Sequence, residues 1–149
     1  MRYGRSSKLR LLLLSAAVLV VDQWTKSLVE THLSTGPPQV IIPGFLDLIY
    51  VRNSGIAFGL FAAGSNTAGV MILTLLGVVA LGLVLFYFWK TPAANRWVLV
   101  SLSLILGGAV GNLLDRALSG SVTDFIEVYV GSYHWPTFNA ADSAISIGI

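Results

Sequence analysis

One stretch of the chain restricts its possible folds more than any other: residues 68–89 contain no charged side chain. A helix over this stretch would rise 1.5 Å per residue and cross the ~30 Å hydrocarbon core of a membrane. Of the 149 residues, 55% are hydrophobic and 11% are charged, whereas a soluble domain has about a quarter charged residues. The sequence therefore predicts a protein whose main solvent is lipid.

Three further apolar segments accompany this one. We predict spans at approximately residues 11–29, 68–89, 97–114 and 139–149, within a single membrane-embedded domain covering residues 1–149. The last segment rises only ~16 Å, so we expect the chain to be truncated within its fourth helix at Ile149. Segments 30–67 and 115–138 lie between the spans. The runs Val40–Ile42 and Phe45–Val51 are strand-like and follow Gly and Pro turn signals. The predicted fold class is membrane all-α, with four transmembrane helices and a small extracytoplasmic β-platform.

Basic residues predict the orientation in the membrane. They precede the first span and occupy the turn between the second and third, at Arg2, Arg5, Lys8, Arg10, Lys90 and Arg96. The positive-inside rule places both segments in the cytoplasm, and segments 30–67 and 115–138 on the opposite side. The net charge of +2 follows from this placement and does not indicate a nucleic-acid partner. With no cysteine, a disulfide framework, a thiolate zinc site and a cysteine nucleophile are excluded.

Most of the remaining polar side chains fall at or near the outer ends of the spans. They are Asp22, Asn53, Asn112, Asp115, Arg116, Asp124, Asn139 and Asp142. A charge in a membrane span is costly, so such residues tend to be paired and functional. Asn112 and Arg116 share one helix face, as do Asn139 and Asp142. Two neighbouring carboxyls can share one proton and activate water for amide hydrolysis, which makes Asp124 and Asp142 candidates for a catalytic pair.

The spacing leaves other interpretations open. Asp124 and Asp142 could be an ordinary surface pair. Asp22 and Lys26, in the favourable i, i+4 order, are predicted to form a structural ion pair. Arg116 could pair with an aspartate such as Asp115 or bind substrate. Asn139 could simply cap the fourth helix.

At these same residues the sequence resembles the bacterial lipoprotein signal peptidase (signal peptidase II) family. Five motif boxes occur in the family's order. They are Asp22–Lys26, Arg52–Gly59, Gly107–Arg116, Val122–Phe125 and Phe138–Ser143. The resemblance implies an aspartic endopeptidase of the bacterial inner membrane, with both termini cytoplasmic and the site near the outer face. Its substrates would be diacylglyceryl-modified prolipoproteins, cleaved just before the lipidated cysteine.

The resemblance also assigns roles to residues. It implies that Asp124 and Asp142 form the catalytic dyad, and that a short segment after Asn53 covers the site. Supporting or substrate-binding positions would be Asn53, Gly55, Asn112, Arg116 and Asn139. We expect no metal and no organic cofactor. We expect the protein to contact membrane lipid and to be a monomer. The alternative is a small ion- or proton-coupled transporter subunit. The binding site of such a protein should lie near mid-membrane, whereas the polar residues of this chain fall at or near the outer ends of the spans.

Overall fold

The computed structural model describes residues 2–54 and 67–149. Its elements, in chain order, are α1 (Arg2–Leu33), β1 (Gln39–Ile42), β2 (Leu46–Asn53), α2 (Thr67–Lys90), α3 (Arg96–Ser119), β3 (Val122–Val130), β4 (Tyr133–His134) and α4 (Ala140–Gly148). Within this part of the chain, three helices are long and apolar enough to cross a membrane: Ser6–Leu33, Gly69–Lys90 and Arg96–Ser119. They coincide with the first three predicted spans. The fourth predicted span corresponds to the 9-residue α4.

Two helices extend beyond their predicted ends. α1 continues to Leu33, and α3 continues to Ser119, so that Asp115 and Arg116, which were predicted to lie at or near the outer end of a span, are followed by a further helical segment. The prediction ended each helix where its apolar character ended. The end of α3 is instead determined by Gly120, which has the left-handed φ of 68° and donates its backbone N–H to the Arg116 carbonyl. Glycine adopts this C-cap conformation without the usual steric penalty.

α3 is the central helix and packs against α1, α2 and α4. Close packing depends on glycine: a Cβ added to Gly107 would lie 2.6 Å from the Ser15 carbonyl oxygen of α1, and one on Gly111 would lie 2.5 Å from the Asp22 carboxylate. Such small residues let helix backbones approach closely in lipid. Ser15 also donates to the Ser103 carbonyl at 2.7 Å. These contacts hold α1 and α3 side by side.

α2 presents apolar side chains outward along its whole length. Large exposed examples are Met71, Leu75, Leu76, Leu83 and Phe86. In water this surface would be unfavourable, since roughly 25 cal/mol is lost for each Å² of exposed apolar area. A helix that is apolar on all sides belongs either in a core or in a membrane. The helix surface therefore supports a membrane-bound protein.

The four strands form one antiparallel sheet in the order β1-β2-β3-β4. The two strand-like runs predicted in segment 30–67 are confirmed as β1 and β2. The sequence did not reveal that the sheet also takes two strands from segment 115–138. β3 pairs with β2 so that Val51 lies opposite Asp124 and Asn53 opposite Val122. This register brings the end of β2 beside Asp124.

Candidate active site

Asp124 lies on β3 and is almost completely buried, with 2% of its surface exposed. Each of its carboxylate oxygens accepts a hydrogen bond from an amide side chain. Asn53 Nδ2 donates to Oδ2 at 2.8 Å, and Asn139 Nδ2 donates to Oδ1 at 2.7 Å. Burial raises the pKa of Asp124, and the negative charge of Asp142 raises it further, against the lowering effect of the two amides and of Lys26. Asp124 is therefore suited to holding a proton that it can release.

Asp142 lies in the first turn of α4. Its Oδ1 accepts from Asn112 Nδ2 of α3 at 2.7 Å, and its Oδ2 accepts from the Asn139 backbone N–H at 3.2 Å. The Asp142 backbone N–H in turn donates to Asn139 Oδ1 at 2.9 Å. These reciprocal bonds form a capping box, which satisfies two backbone donors at the start of a helix. Helix geometry therefore fixes the position of this carboxylate.

Asn139 connects the two aspartates. Its side chain is fully buried and bonds both to Asp124 and to the backbone of Asp142. The sequence left open whether Asn139 is simply a helix cap; the structure shows that it caps α4 and also donates to the first carboxylate. Asn139 therefore contacts both carboxyl groups, Asp124 through its side-chain amide and Asp142 through its backbone N–H. We call Asp124 and Asp142 the dyad.

The predicted Asp22–Lys26 ion pair is present, with Lys26 Nζ 2.7 Å from Asp22 Oδ2. Lys26 also lies 2.8 Å from Asp115 Oδ2 and donates to Asn112 Oδ1 at 3.0 Å. Gln23 Nε2 donates to Asp115 Oδ1 at 2.8 Å. We call Asp22, Gln23, Lys26 and Asp115 the buried polar network. It is joined to the dyad through Asn112, which accepts from Lys26 and donates to Asp142.

Asp22 does more than pair with Lys26. Its Oδ1 accepts the backbone N–H of Ala141 at 2.9 Å. Ala141 is in the first turn of α4, where backbone N–H groups lack a partner within the helix. Asp22 therefore holds the start of α4 against α1 and fixes the height of Asp142 relative to the other helices.

Arg116 is placed differently from the other predicted site residues. It is half-buried, and its Nη1 donates to the Asn112 carbonyl of its own helix at 3.2 Å. It does not pair with Asp115, because that carboxylate is bound to Lys26. Among the described residues, Arg116 has no carboxylate within ion-pair distance. Gly55 and the segment expected to cover the site lie outside the described residues.

Two members of the buried polar network were not among the predicted site residues. Asp115 was predicted only to lie at or near the outer end of a span, as a possible partner of Arg116, and Gln23 was not considered beyond its motif. A signal for Asp115 was available, since it lies three positions after Asn112 and so shares its helix face. Gln23 had no such signal, because its role depends on the approach of α1 to α3.

Chemically, the dyad is held by three amide side chains, those of Asn53, Asn112 and Asn139, and Asn112 is also bound to the buried Lys26 ammonium. Over residues 2–54 and 67–149, no group of three or more His, Cys, Asp or Glu residues is placed to hold a metal ion. Two adjacent carboxyls that ionise at different pH can serve as acid and base in one reaction. The geometry is therefore suited to the activation of water.

The chain was also compared with known proteins. A family model described as signal peptidase (SPase) II matches residues 14–149. The lipoprotein signal peptidase of Syntrophus aciditrophicus is 42% identical over 138 residues, which cover 93% of this chain and 86% of the relative. The lipoprotein signal peptidase of Solibacter usitatus is 42% identical over 134 residues, which cover 90% of this chain and 82% of the relative.

The fold is similar to solved structures as well. A structure described as a bacterial membrane enzyme matches with a TM-score of 0.78 and 34% identity, covering 93% of this chain and 86% of that one. A second structure with the same description matches with a TM-score of 0.73 and 34% identity, covering 93% and 82%. The sequence and fold comparisons thus agree over nearly all of the chain.

Proposed function

The chain belongs to the signal peptidase II family, and on this basis we propose that it removes signal peptides from prolipoproteins by aspartic catalysis at Asp124 and Asp142. The observation that carries the catalytic assignment is that Asn139 holds both carboxylates. Family membership makes the protein a membrane peptidase. The alternative of a small ion- or proton-coupled transporter subunit is not supported, because the relatives of this chain are named lipoprotein signal peptidases.

The proposed reaction uses one proton shared by the dyad. The ionised carboxylate takes a proton from a water molecule as the water oxygen attacks the scissile carbonyl carbon. The protonated carboxyl donates to the carbonyl oxygen and stabilises the negative charge that develops there. Collapse of the tetrahedral intermediate breaks the C–N bond, and the leaving amine takes a proton from the dyad. Asn53, Asn112 and Asn139 keep both carboxyls in place throughout.

The proposed substrates are precursors that carry a diacylglyceryl group on the cysteine after the signal peptide, cleaved just before that cysteine. This finer assignment rests on the family resemblance. It agrees with the apolar outer surfaces of the helices, because an apolar signal peptide and its lipid can approach through the bilayer. The dyad lies beside the final third of α1, since Asp22 is eleven residues or ~16 Å before the end of that helix. We place Arg116 at the substrate side of the site.

The proposed topology has four spans in the bacterial inner membrane, the fourth of which contains α4, and both termini in the cytoplasm. The support is the basic character of residues 2–10 and of the turn between α2 and α3. The dyad then lies near the outer face, and the sheet forms the extracytoplasmic platform. The proposed unit is a single domain that acts as a monomer in contact with membrane lipid.

Reconstitution tests this function directly. The full-length protein is incubated in liposomes with a diacylglyceryl-modified precursor, and with the same precursor unmodified because its cysteine is replaced by serine. We expect cleavage of the lipidated precursor alone. Mass spectrometry should identify the modified cysteine as the new amino terminus of the product. Equal cleavage of both precursors would contradict the substrate assignment. No cleavage of either would contradict the proposed function.

A further inference from the structure

Lys26 has no free donor left. The residue is 5% exposed. Its ammonium group contacts Asp22 Oδ2, Asp115 Oδ2 and Asn112 Oδ1 at 2.7, 2.8 and 3.0 Å. An ammonium group has three protons and no acceptor, so each proton has one partner. Two of the contacts form the ion pairs that a structural role requires. The third is directed to an amide that binds the dyad.

The third contact controls which way the Asn112 amide faces. Because Lys26 can only donate, the atom of Asn112 next to it must be the oxygen. The Nδ2 group is then directed to Asp142 Oδ1 at 2.7 Å. Asn139 Nδ2 also contacts Asn112 Oδ1, at 3.2 Å, in the same sense. A positive charge therefore acts on Asp142 through one intervening amide.

The two carboxyls of the dyad have unequal surroundings. Asp142 lies at the positive end of α4, where an anion is stabilised, and accepts from a backbone N–H and from the lysine-bound amide. Asp124 is 2% exposed and accepts from two neutral amide side chains. Burial favours the neutral form of a carboxyl. The asymmetry points in one direction, with the charge on Asp142 and the proton on Asp124.

We propose that Lys26 is a positioning residue for the reaction: its bond to Asn112 favours the ionised form of Asp142 and leaves the shared proton on Asp124. Asp142 is then the base that activates water, and Asp124 is the acid that donates to the substrate carbonyl. This inference rests on the proposed function, because it assigns separate roles within the proposed dyad.

Few other charges face Asp142 in the described part of the chain. They are Asp22 and Lys26 on α1 and Asp124 on β3. Of the charged residues of α3, Asp115 is bound to Lys26 and Arg116 to the Asn112 carbonyl. On β2, the Arg52 guanidinium is directed away, to Ser121 Oγ at 2.8 Å and towards Glu30. Lys26 is thus the cation connected to the dyad by a hydrogen-bonded amide.

The pH dependence of kcat/KM for the lipidated precursor tests the inference. Lys26→Met alone would leave two buried carboxylates unpaired, so the decisive variant is Lys26→Met with Asp115→Asn. This double variant removes one charge of each sign and separates the contact with Asn112 from the local net charge. We expect its acidic limb to move to higher pH by about one unit, the lower end of the effect of a nearby charge, with at least a tenfold loss at the acidic side.

Lys8→Met is the matched control. Lys8 is also a buried lysine of α1, but it donates to the Trp89 carbonyl at the other end of the helix. Lys8→Met should leave the acidic and alkaline limbs of the kcat/KM profile at the same pH, because a loss of folded protein alone lowers the height of the profile and does not move its limbs. A double variant with the wild-type acidic limb would overturn the inference. If Asp124→Asn or Asp142→Asn retained cleavage, the proposed function would fail instead, so the two failures are distinguishable.

A double-mutant cycle tests the route through Asn112. Asn112→Ala alone should move the acidic limb in the same direction as the Lys26→Met/Asp115→Asn variant. Combining all three substitutions should add little to the displacement, because residues in one hydrogen-bonded chain couple. Fully additive displacements would show that Lys26 does not act through Asn112.

Discussion

Replacement of Asn139 by alanine gives the most informative perturbation, because this one side chain serves two functions. Loss of the N-cap of α4 costs ~1 kcal/mol. Loss of the donor to Asp124 Oδ1 leaves a buried acceptor without that partner, which costs ~1–3 kcal/mol. The sum is a destabilisation of about 2–4 kcal/mol in the free energy of unfolding. Displacement of both carboxyls should also lower cleavage by about 100-fold, the effect of a misplacement near 1 Å.

Asn139→Ser separates the two functions. The serine oxygen can still accept the Asp142 backbone N–H and cap the helix, but it is too short to replace the amide that reaches Asp124. We expect Asn139→Ser to recover ~1 kcal/mol of stability relative to Asn139→Ala without recovering activity. Stability is measured by reversible unfolding in mixed micelles and activity by single-turnover cleavage of the lipidated precursor. If Asn139→Ala kept near-normal stability and activity, the bridging role would be refuted.

Two further predictions concern packing and pH. Gly111→Ala should destabilise the protein and lower cleavage, because the added Cβ would lie 2.5 Å from Asp22 Oδ2. Gly82→Ala, whose Cβ would have nothing within 4 Å, should leave stability and cleavage unchanged. Thermal unfolding and cleavage assays compare the two variants, and equal behaviour would contradict the close approach of Gly111 to Asp22. Asn53→Ala should move the alkaline limb of kcat/KM to higher pH, because the Asn53 hydrogen bond lowers the pKa of Asp124 and the proton on Asp124 is lost as pH rises through that pKa. An alkaline limb that stays in place or moves to lower pH would show that Asp124 does not hold the catalytic proton.

The membrane-spanning helices were predictable because long apolar segments have few alternatives. The β1 and β2 strands were predictable from local turn signals. The ends of α1 and α3 were not, since a helix that leaves the hydrocarbon can continue until a residue such as Gly120 stops it. The pairing of β2 with β3 was also beyond prediction, because a strand does not identify a partner about seventy residues away. That pairing is what places Asn53 beside Asp124.

At the site, i, i+4 spacing correctly paired Asp22 with Lys26, and periodicity placed Asn112 and Arg116 on one helix face without showing that Asn112 contacts Asp142. It could not show that Lys26 has a third partner, because that contact joins α1 to α3. Arg116 shows the limit of charge-pairing arguments. Its neighbour Asp115 is taken by Lys26, and a lysine 89 positions earlier in the chain is not visible in a local pattern.

The central claim is that Asp124 and Asp142 act as one catalytic unit. The most direct measurement is kcat/KM of the lipidated precursor for Asp124→Asn, Asp142→Asn and the double variant, with Asp47→Asn as a carboxylate control outside the site. Residues that act together are strongly non-additive. We predict that each single substitution lowers kcat/KM by roughly 10⁴-fold, that the double variant is no worse than either, and that Asp47→Asn is active. A single variant with near-normal cleavage, or losses that multiply in the double variant, would contradict the account.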